Sequence, residues 1–145
     1  MLNAINVYLK EKRAVQEATY PLERLIYCEE LCIENAIESA KLKIKEQQLS
    51  PAAREHKEKF LDQLRQKGLI PAVPEWRPVP IFTAIHHSDP TIAEAIAERL
   101  QEMKDERQTF LKRTKDQLAR NPQLKAAFFQ HMEQTGAGHY LTALR

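Results

Sequence analysis

Glycine is scarce in this chain, which has three, and there are only two cysteines and one tryptophan. Stretches of strand-forming residues are nearly absent. Ala, Leu, Glu, Gln and Lys are abundant, and together these features favour helix over sheet. The two thiols, Cys28 and Cys32, stand four apart in a helical stretch. A zinc site needs about four ligands, and neither a second cysteine pair nor a spaced histidine pair accompanies them. They are read as reduced thiols serving as small apolar side chains, in keeping with a reducing compartment. No apolar run approaches the roughly 20 residues that span a bilayer. The opening MLNAINVYLKEKRAV has no apolar core of signal length before its charges. The expectation is a soluble, cytoplasmic protein without a membrane contact.

Charge of one sign is also missing. The formal net charge is +2, and residues 1–70 carry twelve basic against eleven acidic residues while 71–145 carry ten against nine. Bulk charge therefore makes no case for nucleic acid, although a local patch is compatible with it. The chain lacks a phosphate-cradling glycine loop, a GxSxG elbow, a supported Cys-His arrangement and a Glu-x-x-His pair. No catalytic residue, cofactor or metal is expected. His86, His87 and Asp89 are the one cluster of such residue types, but neighbouring side chains diverge and Asp89 is placed to cap a helix.

The eight prolines supply the punctuation. Four follow Tyr20, Ser50, Asp89 and Asn121, and the last three of these are good N-caps before a proline at the first helical position. Gly68 followed by Leu69, and Gly136 near the other end, suit helix stops of the Schellman kind. Five helical segments result, at about residues 2–19, 21–47, 51–67, 90–119 and 122–135, with HYLTALR as a further turn or a docked tail. The second segment has a wide apolar stripe from Leu22 to Ile44, and the third a narrower one of Ala53, Phe60, Leu61 and Leu64. The 47–50 and 120–121 links are short. They predict two antiparallel hairpins, 1–68 and 89–145, in an all-α fold joined by a proline-rich crossover over 69–88, with one helical bundle favoured over two separate lobes. In extended polyproline form the crossover reaches about 60 Å, enough to run the length of a long helix.

Two surfaces stand out as places for a partner. In the crossover, Pro74, Trp76, Arg77 and Phe82 either clamp the segment onto the helices or display it to another protein. In the second half, Arg107, Lys112, Arg113, Lys115, Arg120 and Lys125 form a basic run after an acidic one. Acids early and bases late complement the helix dipole, and the same order recurs in residues 23–45, so helix stability explains the pattern before phosphate binding does. The function expected is a non-enzymatic helical interaction module, an adaptor or regulator, that binds a protein or a second copy of itself as a homodimer. The alternative is a nucleic-acid-binding regulator using residues 107–125.

Overall fold

The computed structural model describes residues 2–69, 79, 85–138 and 141–145, without the side chain at 142. Its helices are α1, Leu2–Glu46; α2, Pro51–Gln66; α3, Pro90–Ala119; α4, Pro122–Gln134; and α5, Leu141–Leu144. No strand occurs among the described residues. Three of the four proline-marked starts fall where the sequence places them. Ser50, Asp89 and Asn121 sit in extended backbone, and their side-chain oxygens accept from the backbone N–H of Ala53, Thr91 and Leu124 at 3.3, 2.9 and 3.1 Å.

The fourth start does not exist. Pro21 lies inside α1, a single helix of 45 residues, so the expected break after Tyr20 is corrected. Proline in a helix interior removes a backbone bond and costs about 3 kcal/mol. Here the apolar spacing runs through it in phase: Ala14, Val15, Ala18, Leu22 and Ile26 all pack against the same cluster on α3. Pro21 itself faces solvent, where the unpaired carbonyl of the exposed Glu17 can be hydrated. Tertiary packing holds the helix together across a residue that local rules would make its start.

The helix stops follow expectation. Gly68 and Gly136 have φ of 70° and 80°. The N–H of Leu69 donates to Leu64 at 2.9 Å and that of Ala137 to Met132 at 2.8 Å, the closing bond of a Schellman turn. Beyond the second stop, α5 seats Leu141 and Leu144 in the core, so the closing segment docks as one helical turn.

Packing departs from two antiparallel hairpins. Glu23 meets Arg99, Glu29 meets Arg107, and Ile33 and Ile37 share a cluster with Leu118, so α1 and α3 run parallel. Parallel neighbours need a connection that returns the chain to its starting end. Pro90 therefore stands about 40 Å back along α1 from Glu46. Val79 and Ile85 pack on the cluster at that end. The core face of α1 is covered by α3 and α4, leaving none for α2, which has no buried residue and joins neither core cluster. A 2.6 Å ion pair from Lys57 to Glu46 links α2 back to α1.

Two apolar clusters result. The first gathers Ile26 of α1 with Ile92, Ile96, Leu100 and Met103 of α3. The second gathers Ile33, Ala36, Ile37 and Ala40 with Leu118, the α4 side chains Leu124, Phe128 and Met132, and α5. Between them along α1 lies Glu29, whose side chain is fully buried and whose two carboxylate oxygens accept from Nε and Nη2 of Arg107 at 2.8 and 3.2 Å. A bidentate pair of this kind fixes which turn of α1 faces which turn of α3.

Candidate interaction surface

Because α3 begins beside the second quarter of α1, no helix among the described residues lies along the first three turns of α1, and residues 2–10 are all exposed. Leu2, Ile5, Val7, Tyr8 and Leu9 all stand in this overhang. The exposed apolar surface continues down the whole helix through Tyr20, Tyr27, Leu31 and Leu42. Leu9, Tyr20, Leu31 and Leu42 recur every eleven residues, and eleven residues fall within roughly 20° of three full turns. They form one strip, with Leu2 and Tyr27 aligned on it, on the side of α1 turned away from Ile26, Ile33 and Ile37. Each is between 41 and 78% exposed.

This strip is absent from the sequence reading, which followed the core stripe of α1 and treated the rest as solvated. The eleven-residue spacing was the available signal, and the supposed break at Pro21 cut it in two. Polar residues interleave it, with Arg13 and Arg24 in the first half and Glu38 in the second. Arg13 pairs with Glu17 at 3.7 Å and Lys41 with Glu38 at 3.3 Å, all on exposed side chains. Where the overhang meets the start of α3, an open groove of about 480 Å³ is lined by Tyr8, Val15, Thr19, Ala95 and Arg99 among others.

The residues of the basic run stand in different settings. Arg107 is committed to Glu29. Nζ of Lys125 stands 5.7 Å from the ring centre of Phe129. Lys112, Arg113, Lys115 and Arg120 are exposed, and among the described residues none forms an ion pair. At helical spacing Lys112 and Lys115 point to one side of α3 and Arg113 and Arg120 to the other, with Asp116 between them. Partial burial, reinforced by Glu34 and Glu29, raises the Glu30 carboxyl above its usual range, and Arg113 opposes that rise.

Pro74, Trp76, Arg77 and Phe82 lie outside the described residues. His86, His87 and Asp89 are exposed, and the last two are engaged locally. Nδ1 of His87 accepts from the N–H of Asp89 at 3.0 Å while Asp89 caps α3. Among the described residues no three His, Cys, Asp or Glu side chains are grouped to hold a metal ion. Cys28 is exposed and Cys32 half-buried, both as free thiols, and burial pushes the Cys32 thiol up. No helix among the described residues is long and apolar enough to cross a membrane. Neither a family model, a curated protein nor a solved structure matches the chain.

Proposed function

We propose that the protein is a non-enzymatic helical interaction module, an adaptor or regulator, whose binding element is the outward face of α1. One observation carries this reading: six large apolar side chains stand exposed in a line along a helix of 45 residues. Scattered exposed leucines are ordinary on a surface, whereas an aligned apolar strip is what another chain covers. A helix presenting anchors at regular spacing fits helix-on-helix recognition. Immobilised protein, exposed to extract of its own cell with and without nuclease, tests this. Wild type is expected to retain a protein that nuclease leaves in place and that Tyr20→Glu with Leu31→Glu releases. Retention that nuclease abolishes counts against it.

The exposed bases Lys112, Arg113, Lys115 and Arg120 favour a second reading, backbone contact with nucleic acid. It expects binding of duplex DNA or RNA that falls steeply with salt and weakens when Arg113 and Lys115 become Ala. Absence of binding at low salt ends it.

A further inference from the structure

The order of residues along the exposed strip of α1 reads nearly the same from both ends. Taken outward from a centre between Leu25 and Ile26, Tyr20 is matched by Leu31, Arg13 by Glu38, Leu9 by Leu42 and Leu2 by Leu49. The three apolar pairs and the charged pair all consist of exposed side chains, Leu49 lying in the turn just past the helix. A pattern of this kind is what an isologous contact about a two-fold axis requires, because each residue must meet the one equally far from the centre.

We infer that the occupant of the strip is a second copy of the chain, packed antiparallel along α1 with the two-fold axis at the level of Leu25 and Ile26. This rests on the interaction-module reading and names its partner. In that register Leu9 of one copy packs on Leu42 of the other and Tyr20 on Leu31. Arg13 meets Glu38, each of these contacts occurring twice. In this register the Arg13 guanidinium of one copy meets the Glu38 carboxylate of the other, each group also having a partner of opposite charge on its own helix, Glu17 and Lys41. A parallel pair would place Arg13 on Arg13 and Glu38 on Glu38. The overhang of residues 2–10 rests on the 42–49 end of the partner, which gives Leu2 and Leu9 the cover that α3 does not supply. At on the order of 100 Å² from each large apolar side chain, seven per chain approach the roughly 800 Å² per partner of a standard interface. The core face stays with α3 and α4, so the fold of each copy is unchanged.

Sedimentation of the full chain up to high micromolar concentration tests the contact, and a charge swap tests its register. The wild-type chain is expected to be a dimer. Leu31→Glu is expected to raise the dissociation constant about 100-fold or more while leaving helix content intact, since the side chain is exposed in the monomer. Arg13→Glu and Glu38→Arg each weaken the dimer several-fold, and the chain carrying both recovers most of that loss. A monomer at every concentration overturns the proposal, as does a dimer indifferent to Leu31→Glu, or a double variant as weak as the singles. A monomer whose strip still retains another protein from extract removes the second copy and leaves the interaction-module reading standing. A monomer that retains nothing removes both.

Discussion

At the scale of single residues, the most consequential feature is the buried pair of Glu29 and Arg107. Removing one member leaves a charge in the core without its partner, a defect that costs about 3–5 kcal/mol. Glu29→Ala is therefore expected to lower the urea midpoint far more than Glu34→Ala on the exposed side. Replacing both members together, Glu29→Leu with Arg107→Met, is expected to recover most of the loss, because well-packed apolar groups substitute for a buried pair at little cost. Phe128, fully buried in the second cluster, gives a reference: Phe128→Ala costs about 3–5 kcal/mol, while Phe60→Ala on exposed α2 stays within about 0.5 kcal/mol. His131 adds a pH dependence. Burial, assisted by Lys43, lowers its imidazole below the ordinary value near 6.5. The unfolded chain then takes up a proton before the folded one does, so stability falls as pH drops below about 6.5 and is unaffected above it. His131→Gln is expected to flatten that limb of a pH series of unfolding curves. Glu30, held above its usual range, acts in the opposite sense in a lower window, its contribution fading as pH rises through the folded value.

At the scale of elements, the sequence was most legible where covalent chemistry dictates the backbone. Ser50, Asp89 and Asn121 before their prolines, and Gly68 and Gly136 at positive φ, mark helix ends by local rules alone. Pro21 obeys the same local rule and is overruled, because the signal that decides it is the unbroken phase of Ala14 to Ile26 against residues some 76 positions later. The same blindness hid the partner of α1: a short link after Gln47 suggests a hairpin, but α2 has too narrow an apolar face to compete with α3 and α4. If packing alone carries α1 across Pro21, then Pro21→Ala restores a backbone bond without disturbing any buried contact. It is expected to stabilise the fold by about 1–2 kcal/mol, less than the full cost of a helix-interior proline because the unfolded chain also gains freedom. A higher denaturant midpoint at unchanged m-value is the readout.

At the scale of the whole molecule, the candidate site was not legible, since a strip becomes a surface only when one knows which face the core has already used. Hydrogen exchange reports this division directly. Amides of α1 from Ile33 to Ala40, enclosed by both α3 and α4, are expected to exchange through global opening, and those of the overhang through local fraying. With association through the strip, protection of residues 2–10 rises with protein concentration, whereas in a lone copy it is independent of it.

The parallel run of α1 and α3 also bears on how the chain reaches this state. Bundles built from adjacent antiparallel helices form mostly local contacts and fold fast. Here the ion pairs and the polar bond that tie α1 to α3 and α4 join residues 76, 78 and 87 positions apart. During synthesis α1 therefore emerges complete, with its core face and its outer strip both uncovered, and waits for most of the remaining chain before either cluster can close. Loop closure over such separations comes before any reward in burial. A refolding rate well below that of up-and-down bundles of similar length, with the folding limb of the chevron slowed by changes at Ile96 or Leu118 and little affected by changes in α2, is the kinetic signature of this topology.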